Sequence, residues 1–491
     1  MSEHILVIDE GTTSTRAMLF SLDGTCLASE SAALQQSYPA PGRVEHDAAE
    51  IWRKTLRVTA AMVAQAGGAE RIAAVGITNQ RETIVFWDKT NGKPLAPAIV
   101  WQDRRTAAEC RAWREAGEEA RVQETTGLLL DPYFSGSKIG WAMREWPQVA
   151  AAGDRLAVGT VESWLIWNLT GGAHLSDATN ASRTALMDLT TGGWDAGLAD
   201  LFGAPMQALP EIVDCAGRFG TTKAFGAAIP ICGLAGDQQS ASIGQACLRA
   251  GETKATFGTG AFVLTHAGET APTSAHRLLA TVAWQIAGKR TYALEGSVFV
   301  AGSLIQWLRD SLGLIGDARE TDALARSVAD NGGVYLVPAL SGLGAPWWEP
   351  AARATISGLS FAAGKAHVVR AALEAMAHQA SDLKRAFAAD GQDWDCLRID
   401  GGMVANDWMA QDLADMLGLT VERPSFAETT ALGAAMLAGV GAGLFADLDE
   451  AATMRGDVQR FEPRLDGHAR EARLAGWAKA VEAVVAGATG S

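Results

Sequence analysis

His4-Ile-Leu-Val-Ile-Asp9-Glu-Gly-Thr-Thr-Ser-Thr-Arg16-Ala-Met-Leu-Phe20 is the stretch on which the fold turns. An apolar run from His4 closes on a carboxylate at Asp9, a polar loop follows from Glu10 to Arg16, and a second apolar run occupies Ala17 to Phe20. Asp23-Gly24 then supplies a tight turn, and a third strand-like segment starts at Thr25. The pattern reads strand, loop, strand, turn, strand, an antiparallel arrangement with Gly11-Thr-Thr at one tip. Glycine lets backbone N–H groups approach an oxygen closely, and threonine and serine hydroxyls add donors, so such a tip suits a phosphate. It also suits a plain hairpin turn, and one loop does not separate the two readings.

Further along, the pattern returns. Thr253 to Phe257 reads as a strand, Gly258-Thr259-Gly260 as the loop and Ala261 to His266 as the returning strand, with strand signals again at Leu278–Ile286 and Thr291–Leu294. One copy in each half suggests two related domains facing each other. We place them at residues 1–250 and 251–491. Apolar positions Val369, Leu373, Met376, Ala380, Leu383 and Phe387 share one helical face ending near Gly391, and a second helix around Trp408 to Leu417 closes at Gly418. Strands mixed with crossover helices make an α/β protein.

A chain of 491 residues exceeds one ordinary core, which agrees with two domains. Its net charge of −15 argues against nucleic acid or an anionic membrane surface as the main partner, because both demand concentrated Lys and Arg. No apolar stretch reaches membrane-spanning length uninterrupted, so no membrane insertion is expected. The six cysteines are scattered without a C-x-x-C pair, so neither a zinc site nor a disulfide framework is expected. The N-terminus enters a strand pattern without a basic, apolar leader, so a cytoplasmic protein is expected.

Neither a G-x-x-x-x-G-K-[ST] loop nor a strand-borne G-x-G-x-x-G occurs. Any phosphate site is therefore of another type. Asp9 stands where a divalent cation bridging phosphate oxygens needs an oxygen ligand. Asp237, in Gly233-Leu-Ala-Gly-Asp-Gln-Gln-Ser240, can take a proton from an attacking hydroxyl, or simply cap a helix starting at Gln238. Arg81-Glu82, ending the run Ala73–Gln80, offers donors and acceptors to neighbouring hydroxyls, or is an ordinary surface ion pair.

Taken together, the segments Asp9–Arg16, Gly76–Thr83, Ile99–Arg105, Asp131–Lys138, Asn180–Thr184, Gly236–Gln239, Phe257–Gly260, Leu294–Phe299, Gly342–Pro346 and Asp400–Gly402 resemble the FGGY carbohydrate kinase family, from Ile5 to about Trp477. The resemblance implies two ribonuclease-H-like (actin-like ATPase) domains, each with a mixed five-stranded sheet, around a central cleft. It implies ATP as co-substrate, Mg²⁺ as cofactor and a homo-oligomer, dimer or tetramer. On this sequence it places Thr12, Thr13, Ser14 and Arg16 on the β/γ-phosphates, Gly258 and Thr259 on phosphates from the other domain, and Gly302, Gln306, Gly402 and Asn406 along the nucleotide. Asp9 takes the position of the Mg²⁺-associated carboxylate. Asp237 takes that of the general base, also near the metal.

Arg81, Glu82, Tyr133, Asp237 and Gln238 match a polyol-binding set, with Trp101 and Phe262 as aromatic walls, and the match is to members that phosphorylate glycerol. Position 10 departs from the family, which usually carries Gln there. A second carboxylate at that point would repel a nucleotide unless it faced a metal or Arg16. Two rivals stand beside this reading: a kinase for another polyol or sugar, and an actin-like assembly or chaperone protein that would not need Arg81, Glu82 and Tyr133.

Overall fold

The computed structural model describes residues 3–489. Six strands form the first sheet: β1 (His4–Glu10), β2 (Ser14–Ser21), β3 (Cys26–Ala33), β4 (Ile72–Asn79), β5 (Thr221–Thr222) and β6 (Ile229–Gly236), in the order β5-β6-β4-β1-β2-β3. Seven form the second: β7 (Thr253–Phe257), β8 (Ala261–Gly268), β9 (Leu279–Ile286), β10 (Lys289–Val298), β11 (Cys396–Asp400), β12 (Thr420–Pro424) and β13 (Val458–Phe461), in the order β9-β10-β8-β7-β11-β12-β13.

The same five-stranded unit lies inside both sheets. In the first, β1–β2 and β2–β3 are antiparallel while β1–β4 and β4–β6 are parallel. In the second, β7–β8 and β8–β10 are antiparallel while β7–β11 and β11–β12 are parallel. The count of five is thus approximate for the whole sheets, which add β5 on one side and β9 and β13 on the other. Strand β10 extends well beyond the expected Thr291–Leu294 because it continues through Glu295 and Gly296, which break the apolar pattern.

Helices cover these sheets: α1 (Ala48–Gln65), α2 (Asp237–Gly244), α3 (Gly302–Asp310), α4 (Lys365–Ala389), α5 (Asp407–Leu417) and α6 (Thr429–Ala442). Strand β1 is buried on both faces, which is why it reads as an unbroken apolar run. Leu6 and Ile8 pack with Val58 and Met62 of α1, whereas Ile5 and Val7 pack with Ala431, Ala434 and Ala438 of α6. Helix α6 comes late in the chain yet completes the core of the first sheet.

Helices α2 and α6 meet backbone to backbone. A Cβ placed on Gly433 would sit 1.8 Å from the Ser240 carbonyl oxygen, and one on Gly244 would sit 2.0 Å from that of Thr429. Ser240 Oγ donates to the Thr430 carbonyl at 2.7 Å across the same contact. The helix that starts at Asp237 is therefore seated by α6.

Candidate active site

Strands β1, β4 and β6 run parallel with Glu10 opposite Asn79, and Asn79 opposite Gly236. Their carboxyl ends deliver Asp9, Arg81-Glu82 and Asp237 to one edge of the sheet, the place where open α/β sheets bind ligands. A buried polar brace holds the ends together. Asn79 Nδ2 donates to Glu162 Oε2 and Asn180 Oδ1, each at 3.0 Å, and the Gly236 N–H donates to Thr179 Oγ1 at 2.9 Å.

Arg81 and Glu82 are no surface pair. Both are buried, and Glu82 holds a left-handed backbone at φ 62°. Arg81 Nη1 donates to Glu295 Oε2 at 2.5 Å and to Gln239 Oε1 at 3.2 Å. Arg183 donates from Nε to Glu82 Oε1 at 2.6 Å and from Nη2 to Glu295 Oε1 at 2.9 Å. Two cations and two carboxylates thus alternate, each buried charge facing its opposite, which is the condition for such groups to be tolerated inside a protein. Burial would raise Glu295, but Arg183 and Arg81 overcome it and hold the carboxyl at about 2.

Asp237 stands 3.4 Å from Arg81 Nε, with its side chain 31% exposed and so open to the cleft. The capping role expected as its alternative falls to Gly236, and Asp237 is the first residue of α2. Burial raises its proton affinity while Arg81 and Lys254 oppose that shift, so the carboxylate is made more basic without losing its charge partners. Lys254, wholly buried on β7, donates from Nζ to Gln238 Oε1 at 2.5 Å and to Thr256 Oγ1 at 2.8 Å.

Three aromatic rings close the side of this cluster. Trp101 packs edge-on against Tyr133 at 5.7 Å and against Phe262 of the second sheet at 6.3 Å. Trp101 Nε1 also donates to Thr12 Oγ1 at 2.9 Å, tying the aromatic wall to the Gly11-Thr-Thr tip. Thr13 is exposed at that tip, beside half-buried Ser14. The opposite Gly258-Thr259 tip rests on the start of α3: Gly302 N donates to Gly258 O at 2.8 Å and Ser303 N to Thr259 O at 3.1 Å. Gly302 also lies near Met403, next to Gly402. Gln306 is exposed on α3.

Two expected positions are placed differently from a simple contact. Arg16 is ion-paired with Glu428, the residue that leads into α6, so its guanidinium is already engaged. Asn406 accepts from Met409 N at 2.9 Å as the cap of α5 and donates to Thr321 Oγ1 at 3.0 Å, so its amide is a structural bridge. Glu10 points away from the cleft. Alternation along β1 sends it with Leu6 and Ile8 towards α1, where Thr55 Oγ1 donates to Oε2 at 2.8 Å. Burial raises its carboxyl to about 8, so at neutral pH it is protonated and isosteric with the Gln usual at this position.

Asp9 stays on the cleft side of β1. Burial raises it to about 7, against the pull of Arg16, and Asp237 and Glu428 add to the rise. Its carboxylate makes no hydrogen bond among the described residues. An Asp9–Asp237 pair suits Mg²⁺, which takes one or two protein carboxylates and completes its shell with phosphates and waters. Among the described residues no cluster of three or more His, Cys, Asp or Glu offers a closed all-protein cage.

Arg183, Glu295, Gln239, Lys254 and Glu428 were not singled out from the sequence. The available signal was a charged residue inside a strand pattern, as at Lys254 in Thr253–Phe257 and Glu295 in Tyr292–Val298. Spacing alone does not tell which of these meet. No helix among the described residues is long and apolar enough to cross a membrane.

Residues 4–244 match the model of the FGGY family of carbohydrate kinases, N-terminal domain, and residues 253–442 that of its C-terminal domain. The chain is 52% identical to the glycerol kinase of Rhodospirillum centenum, covering 99% of this chain and 98% of the relative. It is equally 52% identical to that of Alcanivorax borkumensis, covering 98% of each. The crystal structure of Plasmodium falciparum glycerol kinase with ADP superposes with a TM-score of 0.92 at 36% identity, over 98% of both chains. A two-lobed α/β chain with this edge of carboxylates and arginines, matched along nearly its whole length, belongs to the FGGY family of carbohydrate kinases.

Proposed function

We propose that this chain transfers the γ-phosphoryl group of ATP to a terminal hydroxyl of glycerol, giving glycerol 3-phosphate in the cytoplasm. The observation that carries the reading is the buried Arg81–Glu82–Arg183–Glu295 square opening on Asp237 beside Trp101, Tyr133 and Phe262. A small polyol needs fixed donors and acceptors for adjacent hydroxyls and an apolar wall for its C–H edge, and the site has both. The near full-length likeness to glycerol kinases supports it over a kinase for another sugar and over an assembly protein.

Phosphoryl transfer asks mainly for in-line positioning and neutralisation of oxygen charge. Arg81, Glu82, Tyr133 and Gln238 orient the acceptor. Asp237 takes the proton of the attacking hydroxyl as its oxygen bonds the γ-phosphorus and the bond from that phosphorus to the bridging oxygen breaks, releasing ADP. Gly11 to Ser14 and Gly258-Thr259 bring N–H and hydroxyl donors to the phosphates from the two halves, with Gly302, Gln306 and Gly402 bordering the rest of the nucleotide. Mg²⁺, held by Asp9 with Asp237 beside it, would neutralise phosphate oxygens when bound. Arg16 reaches the phosphates only on leaving Glu428. Residues 1–250 and 251–491 serve as the two lobes, except that α6 of the second half packs into the first, and the chain works as a dimer or tetramer.

A coupled assay of ADP release across glycerol, dihydroxyacetone, erythritol and xylulose tests the reading. Glycerol gives the highest kcat/KM, and Asp237→Asn lowers kcat by about 10²–10⁴ while weakening glycerol binding only modestly. Acceptor-independent ADP release, or a preference for xylulose, would refute it.

A further inference from the structure

Lys254 has no part in the roles given above, although it is a fully buried ammonium on the strand that leads into the Gly258-Thr259 tip. Its Nζ crosses from the second sheet to α2, the helix that follows β6 of the first sheet, and donates to Gln238 Oε1 at 2.5 Å, with Thr256 Oγ1 as its other partner at 2.8 Å. The contact has a consequence for the chemistry of Gln238. A side-chain amide has one accepting and one donating end. With Oε1 committed to a cation, the amide cannot flip without placing its NH₂ against the ammonium. Gln238 Nε2 makes no hydrogen bond among the described residues, and the backbone N–H of Gln238 is already held by Asp237 Oδ1 at 2.7 Å. The free end of Gln238 is therefore a donor, and it belongs to the residue next to Asp237.

We infer that Lys254 is a positioning residue for the acceptor alcohol: by holding Gln238 Oε1 it fixes Gln238 as a hydrogen-bond donor to a substrate hydroxyl. A hydroxyl that meets Gln238 then does so through its oxygen and directs its own proton to a carboxylate, Asp237 or Glu82. Because Lys254 comes from the second half and Gln238 from the first, the polarity of the acceptor site is set across the cleft. The inference rests on the acceptor reading above.

The experiment is steady-state kinetics with glycerol and ATP on the full chain for Lys254→Met, Gln238→Leu, the double variant and Gln238→Glu. Lys254→Met and Gln238→Leu each raise KM for glycerol about tenfold, with a smaller effect on kcat, and the double variant is no worse than either single one. Gln238→Glu keeps an oxygen for Lys254 but presents a second oxygen in place of Nε2, so it loses glycerol as severely as Gln238→Leu. Multiplicative effects in the double variant, an unchanged KM in Lys254→Met, or near wild-type KM in Gln238→Glu would each overturn the inference. Should Lys254→Met fail to fold, Lys254→Arg takes its place: it keeps a cationic donor for Gln238 Oε1 and holds KM for glycerol near the wild-type value, whereas a tenfold rise in KM in that folded variant would overturn the inference. A wild-type chain that phosphorylates xylulose but not glycerol overturns the acceptor reading itself, and is seen before any variant is made.

Discussion

At the scale of single residues, burial decides what the charged groups of this protein can do. Glu10 and Asp9 are neighbours on one strand with opposite fates, because successive side chains of a strand face opposite ways. Asp9 reaches the cleft and Glu10 enters the core, where its carboxyl is raised to about 8 from the ordinary 4.5. The sign of the resulting pH dependence follows. Between about pH 4.5 and 8 the folded chain holds a proton that the unfolded chain has released, so stability is full below that window and declines across it as pH rises. The ceiling is about 1.4 kcal/mol per pH unit. Glu10→Gln should remove this decline, melting above the wild type at pH 8.5 and close to it at pH 5, with ADP affinity little changed. Parallel melting curves of the two proteins across that range would contradict the assignment.

At the scale of elements, the contact between α2 and α6 fixes the position of Asp237. Gly433 and Gly244 lie so close to the facing carbonyls that no side chain fits, and the atoms in the way are backbone. Gly433→Ala should separate the two helices, cost about 1–3 kcal/mol or more from overpacking, and lower kcat through displacement of Asp237. Scanning calorimetry with parallel assays checks it, and an unaltered melting point with full turnover would show that the helices are not held there. The elements were legible to different degrees. Helices α4 and α5 stood out because their apolar periods are clean, and β7 because it leads into the Gly258-Thr259-Gly260 loop. The far end of β10 did not, because its inward residues Glu295 and Ser297 are polar: Glu295 is satisfied by Arg81 and Arg183, both distant in sequence, and Ser297 by donating to Glu295.

At the scale of the whole molecule, two copies of one five-stranded unit face each other, each offering a glycine-threonine tip. Water competes with glycerol as the phosphoryl acceptor, and a hinge that completes the site only around the proper substrate suppresses that side reaction. Small-angle scattering should record a smaller radius of gyration with glycerol plus a non-hydrolysable ATP analogue than for the free protein. No compaction would mean that the lobes are already closed or do not move.

The sequence by itself determined the class of fold, the twofold repeat of strand, glycine-threonine loop and strand, and the polar segments that carry the chemistry, because these are local features written as period and spacing. It also marked Asp9, Arg81, Glu82 and Asp237 as chemically unusual. Only the tertiary structure decided that Arg183 and Glu295 complete a charged square with Arg81 and Glu82, that Glu10 is buried and protonated, that Arg16 is held by Glu428, and that Lys254 orients Gln238. Those outcomes depend on which groups are removed from water together. Desolvation and pairing are properties of the packed chain, and residues more than a hundred positions apart become neighbours only when it folds.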